Sequence, residues 1–194
     1  MHQRRHSLPH HEALDAGTQR IIAPMINTAG DARRAVEAAK YPPVGSRSWG
    51  PTRAAFDVDD YTPEAGNRRT VLAAMIETPD GVRSMDAFLS TPGIDAAYIG
   101  PSDLVLGHGM EPTLAVRGTE HEQLARSILD SCERNGVVTG IHCDSVQTVQ
   151  RWQDLGFGMT TLASDAVLLR GAASAGRRQL TGQAEEAGGA NNYA

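Results

Sequence analysis

Little in this 194-residue sequence offers covalent or aromatic reinforcement. It has two cysteines, Cys132 and Cys143. Two are too few for a disulfide framework, and both are expected as small buried hydrophobes in a reducing, cytoplasmic setting. Aromatic residues make up only 5 %, so the core must rest on aliphatic side chains. Lysine occurs once, as Lys40, among 18 basic residues, and the formal net charge is −5. That balance argues against nucleic acid as a partner, because phosphate binding calls for a basic face. No apolar run reaches the length of about 18 residues that a membrane helix needs. The opening MHQRRHSLPHHEALDAG has no apolar signal-peptide core. Its histidines His2, His6, His10 and His11 match no zinc spacing.

Apolar residues make up 40 % and charged residues 21 %, ordinary globular usage for a chain long enough to bury a sizeable core. Short β-rich runs alternate with helical patterns. IIAPMI (21–26), TVLAAMIE (70–77), DAAYIG (95–100), VVTGIH (137–142) and MTTLAS (159–164) read as strands. Helical spacing follows in 31–40, with Ala32, Ala35, Val36 and Ala39 on one face. A second helix opens at Thr78-Pro79, an N-cap with proline at the first helical position. A third is announced by the Thr119/Glu122 capping box, with Leu124, Ile128, Leu129 and Cys132 inward. A fourth is capped by Asp144 or Ser145, with Val146, Val149 and Trp152 inward, and a fifth spans 166–176. Segments 41–53 and PSDLVLGHGMEP read as loops. Residues 1–11 are expected to stand outside the fold, residues 12–176 to form it, and 177–194 to be a flexible tail.

Five β-α units of roughly 30 residues each imply an α/β fold with a parallel sheet. Two architectures remain: an open doubly wound sheet, or part of a (β/α)₈ barrel. No Gly-x-Gly-x-x-Gly follows the first strand, so nothing supports dinucleotide binding.

Either architecture places its site at the carboxyl ends of the strands. Standing there are Asn27 and Thr28, Glu77, Gly100-Pro101-Ser102-Asp103, His142, and Ser164 with Asp165. Glu77 closes an apolar strand, where a carboxylate is costly to desolvate. Asp103 stands on the neighbouring β-α loop. Adjacent strand ends are about 5 Å apart, so the two carboxylates can share a hard cation such as Mg²⁺ or Mn²⁺. The alternative is that Glu77 caps the following helix and Asp103 its own turn. His142 is either a base, a substrate contact or a hydrogen-bonded wall residue. His108 reads as an exposed loop residue, and Trp49 as a lid, a subunit contact or a packed loop anchor.

The strings LDAGTQRIIAPMINT, AVEAAKYPPVGSRSWGPTRA, AAMIET, TPGIDAAYIGPSDLVLGHG and GIH…GFGMTTLASDAVLL resemble the HpcH/HpaI aldolase family. These are metal-dependent 2-keto-3-deoxy-acid aldolases related to citrate lyase β subunits. The resemblance covers residues from about 12 to 173. It implies a (β/α)₈ barrel assembled as a homo-oligomer, a hexamer built from trimers. It also implies cleavage of a 4-hydroxy-2-oxo acid to pyruvate and an aldehyde, with Mg²⁺, Mn²⁺ or Co²⁺ as cofactor. Carried onto this sequence, Glu77 and Asp103 are the metal ligands. Gly100, Pro101, Ser102 and Asp103 form the turn that binds the keto acid. Met75 stands where many members carry Gln. The resemblance further implies three β-α units ahead of IIAPMI, bearing a base histidine and an arginine. Arg4, Arg5 and the N-terminal histidines do not stand in those motifs. The chain is thus expected to be the C-terminal five-eighths of the barrel, with an impaired lyase activity. The alternatives are a catalytically silent metal- or pyruvate-binding subunit and a citrate-lyase-like enzyme acting on an acyl-CoA ester.

Overall fold

A computed structural model of the chain describes residues 10–50, 53–56, 58–112 and 119–182. His2, Arg4, Arg5, His6 and residues 183–194 lie outside the described residues, as does the side chain of Thr119, the first half of the expected capping box. Five strands form one parallel sheet: β1 (Arg20–Ala23), β2 (Val71–Ile76), β3 (Ala96–Ile99), β4 (Val138–Cys143) and β5 (Met159–Leu162). Their order in the sheet is their order in the chain. Helix α1 (His10–Asp15) precedes β1, and α2 (Ala29–Ala39) and α3 (Pro63–Arg69) join β1 to β2. Helix α4 (Pro79–Leu89) leads to β3, α5 (Pro101–Gly107) and α6 (Thr119–Asn135) lead to β4, α7 (Val146–Asp154) leads to β5, and α8 (Asp165–Thr181) follows.

The unbroken order decides between the two architectures. A doubly wound sheet reverses direction at a switch point and carries helices on both faces. Right-handed crossovers that never reverse put every connecting helix on the same face, as in an arc of a barrel. The side chains sort accordingly. Leu72, Ala74, Ile76, Ala97, Ile99, Ile141 and Cys143 join one cluster with Val36, Phe88, Ile128 and Trp152 from the helices. The alternate strand positions Ala73, Met75, Ala96, Tyr98 and Met159 form a second cluster on the opposite face, without any helical residue. That face is the barrel interior. Phe88 and Trp152 are fully buried, and each such side chain contributes about 1.5–3 kcal/mol or more through apolar burial. Both cysteines are buried and unbridged, and burial pushes each thiol up to about 11.

Capping chemistry sets most helix starts. Thr28, Thr62, Thr78, Ser145 and Ser164 each accept a main-chain N–H from the first turn, worth about 1 kcal/mol apiece. Thr62-Pro63 repeats the signal of Thr78-Pro79, and Gly100-Pro101 opens α5 inside a segment expected to be a loop.

Several expectations are corrected. β1 stops at Ala23, because Pro24 lacks an N–H and Met25 turns into the left-handed region at φ 55°. Val146 points outward at 51 % exposure, while Thr148 and Trp152 face inward. His10 and His11 belong to α1, and His10 is buried. α8 runs past 176 to Thr181, where Gly182 ends it at φ 65°.

Lys40 is buried. Its Nζ donates to the carbonyls of Thr70 at 2.5 Å and Asn67 at 3.1 Å and to Asp95 Oδ2 at 3.1 Å. Asp95 in turn accepts from the Leu72 N–H at 2.8 Å. This knot ties the end of α2 to the starts of β2 and β3. Trp49 packs between Tyr41 and Tyr61, with ring centroids 5.2 and 5.8 Å away, so it anchors its loop while remaining half exposed.

Candidate active site

The carboxyl ends of β2, β3, β4 and β5 surround a cavity of about 320 Å³ on the interior face. Met75, Tyr98, Gly100, Ser102, Asp103 and His142 form its walls, with Asp144, Ser164 and Val167 at the β4 and β5 side.

Glu77 follows the last residue of β2 and is 7 % exposed. Its Oε1 accepts the Met25 N–H at 2.7 Å. Among the described residues this is its only hydrogen bond, so Oε2 remains available. A Cβ placed on Gly100 would stand 3.3 Å from that Oε2 and 2.4 Å from Met75 Cε. Only glycine therefore lets the strand end approach Glu77 this closely. The helix-capping alternative for Glu77 is not what the chain adopts, since Thr78 caps α4.

Asp103 lies in the first turn of α5, exposed and in the cavity wall. It caps nothing among the described residues. Ser102 is buried, and its Oγ has no hydrogen-bond partner, an arrangement that leaves a desolvation cost uncompensated. The first intrahelical bond of α5 runs from Leu104 N to Gly100 O, so the N–H groups of Ser102 and Asp103 precede the helical ladder. Asp103 thus stands in the cavity wall, whereas Glu77 is not one of the lining residues and lies against Gly100, which is.

The remaining strand-end residues are committed elsewhere. Asn27 accepts a hydrogen bond from the Thr78 hydroxyl, and Thr28 caps α2 through Asp31 N at 3.1 Å. Ser164 caps α8, and Asp165 accepts its neighbour's N–H at 2.7 Å. His108 contacts the Leu104 carbonyl through Nδ1 at 2.8 Å. His142 is a cavity wall residue, its Nδ1 3.0 Å from Thr161 Oγ1 and 3.3 Å from the Tyr98 hydroxyl. Burial lowers its pKa, with the Asp144 charge opposing. Tyr98 and Thr161 were absent from the sequence-based candidates. The alternation within β3 and β5 was the available signal, because both stand at interior positions next to the strand ends.

The donor set is hard oxygen: two carboxylates and a buried, unpartnered hydroxyl. No group of three or more His, Cys, Asp or Glu capable of holding a metal occurs among the described residues. Two carboxylates with the remaining positions filled by water or ligand oxygen suit Mg²⁺ or Mn²⁺, and do not suit zinc.

Residues 5–172 match the family described as HpcH/HpaI aldolase/citrate lyase, and the chain belongs to that family. A hydroxypyruvate/pyruvate aldolase of Rhizorhabdus wittichii is 34 % identical over 160 residues, covering 82 % of this chain and 64 % of that protein. A 4-hydroxy-2-oxo-heptane-1,7-dioate aldolase of Klebsiella pneumoniae is 33 % identical over 171 residues, covering 83 % and 62 %. The chain thus spans a little under two thirds of the length of these relatives. An HpcH/HpaI aldolase/citrate lyase family protein from Burkholderia cenocepacia has a similar structure, with TM-score 0.75 and 25 % identity over 88 % of this chain and 68 % of that one. The HpcH/HpaI aldolase from Desulfitobacterium hafniense shares the fold at TM-score 0.74 and 24 % identity, covering 98 % and 72 %. No described helix is long and apolar enough to cross a membrane.

Proposed function

We propose that the chain carries the metal- and keto-acid-binding part of a carbon-carbon lyase that releases pyruvate from a 4-hydroxy-2-oxo acid. The observation that carries this reading is the pair Glu77 and Asp103. One is a buried carboxylate held by the Met25 amide, and the other stands in the cavity wall beyond Gly100. Together they would hold Mg²⁺, Mn²⁺ or Co²⁺. The bound cation supplies Lewis acidity at the 2-oxo group. The N–H groups of Ser102 and Asp103 and the free Ser102 hydroxyl receive the substrate carboxylate. Met75 and Tyr98 line the interior side of the cavity. The small 2-oxo acid is the proposed partner, and self-association of the chain would cover its open sheet edges.

Oxaloacetate decarboxylation tests the reading, because it needs the cation and carboxylate binding but no general base. With Mn²⁺ present, the chain should release pyruvate above the metal-only background in a lactate dehydrogenase-coupled assay, and Asp103→Ala should remove the excess. A rate equal to that background would sink the proposal. Retro-aldol cleavage by the same chain should be slower, since a positioned base is typically worth about 10²–10⁴-fold.

A further inference from the structure

A second cavity, of about 240 Å³, opens at the opposite end of the strands. Leu14, Thr18 and Gln19, which lead into β1, form one wall, and Arg69 and Thr70, which lead into β2, form another. It is therefore separated from Glu77 and Asp103 by the length of the strands.

Three arginines line it: Arg47, Arg53 and Arg69. Arg47 is 4 % exposed. Its Nη2 donates to Asp15 Oδ1 at 2.5 Å, and its guanidinium stacks 4.5 Å from the centre of the Tyr41 ring. Its Nε is buried without any hydrogen-bond partner. A buried charged donor left unmatched is costly, and an incoming acceptor would remove that cost. Arg53 and Arg69 are exposed and form no ion pair among the described residues. Asp15 pairs with Arg47, and no carboxylate stands among the described residues that line the cavity, in a protein whose net charge is −5. Such a local excess attracts anions against the overall field. Thr18, Gln19 and Tyr61 add neutral donors. Planar guanidinium forks combined with hydroxyls match the oxygens of a phosphate group.

We propose that this cavity binds a phosphate group, either as free phosphate or on a small phosphomonoester. Calorimetric titration of the full chain with inorganic phosphate and with glycerol 3-phosphate tests it. Saturable one-site binding is expected, weakened about tenfold in Arg53→Gln and in Arg69→Gln. Both replacements are at exposed side chains, and melting temperatures report whether the fold survives. The ligand should also raise the melting temperature of the unaltered chain more than that of either variant. Tighter binding of glycerol 3-phosphate identifies an ester, and equal binding identifies the bare phosphate group; both uphold the site. Absence of saturable binding, or unchanged affinity in both variants, overturns it. Asp103→Ala should bind phosphate like the unaltered chain, and a loss there equal to that of Arg69→Gln would assign the binding to the other cavity and overturn the proposal as well.

Discussion

The main-chain N–H of Met25 donates to Oε1 of Glu77 at 2.7 Å, joining the turn after β1 to the end of β2. Met25 reaches this position through a φ of 55°, a left-handed conformation that costs a non-glycine residue roughly 1–2 kcal/mol. The turn thereby aims an amide at a carboxylate that is 7 % exposed, and it fixes one oxygen while leaving the other available.

Glu77→Gln separates charge from shape. The glutamine carbonyl can still accept the Met25 N–H, so the turn should persist. Mn²⁺ affinity, measured by calorimetry or EPR on folded protein, should fall at least about tenfold, because hard cations depend on carboxylate charge. Asp103→Ala should do the same. Affinity like that of the unaltered chain in both variants would refute the shared metal site.

Gly100→Ala probes the close approach of the strand ends. The new methyl would meet Met75 Cε at 2.4 Å and press on the Glu77 carboxylate at 3.3 Å. Met75 is flexible and can give way, so the stability loss should stay near 1–3 kcal/mol, the usual cost of overpacking. Metal affinity should suffer more. Adding Met75→Ala should restore both, since it removes the nearer obstacle. Failure of the second replacement to restore either quantity would show that the glycine serves something other than this contact.

Much of the fold was legible because its signals are local. β2 is apolar throughout, since both of its faces are buried, and Thr78-Pro79 begins α4 where expected. The order of strands was not legible, because periodicity carries no information about which strand neighbours which; the resemblance supplied it. Short α5 escaped notice because seven residues bounded by Gly100 and Gly107 resemble a loop in composition. At the site, Glu77 and Asp103 stand out as charges at strand ends. The Met25 amide does not, since main-chain partners leave no trace in side-chain patterns. The arginine cavity was equally hidden, for Arg47, Arg53 and Arg69 converge from a long loop and from α3.

Lys40→Met tests the knot below the sheet. The replacement keeps the length of the stem but leaves the Thr70 and Asn67 carbonyls and Asp95 without their ammonium partner. Removing one member of a buried pair typically costs about 3–5 kcal/mol. Asp95 is 41 % exposed in its side chain, and water can partly take over there, so about 2–3 kcal/mol is the expected loss in urea unfolding. A loss below roughly 1 kcal/mol would place this contact with ordinary surface ion pairs.

Acid should destabilise the protein through His142. Burial lowers its folded-state pKa below the ordinary value near 6.5, and the Asp144 charge only partly opposes this. The neutral ring fits the surroundings, with Nδ1 at 3.0 Å from Thr161 Oγ1 and the Tyr98 hydroxyl beside it. The sign follows from proton counting. Well above the ordinary value both folded and unfolded chains hold a neutral ring, and stability is undiminished. As pH falls through that value the unfolded chain takes up a proton that the folded chain refuses, so unfolding is favoured. The loss continues down to the lowered folded pKa and then levels off. His10 is shifted in the same direction, by burial and then by His11, so it adds to the slope. Urea midpoints measured from about pH 7.5 to about pH 5 should therefore decline. The decline should be shallower in His142→Gln, which keeps a neutral hydrogen-bonding side chain at every pH, and shallower still when His10→Gln is added. An identical decline in both variants would show that carboxylate protonation, and not the cavity histidine, governs the acid limb.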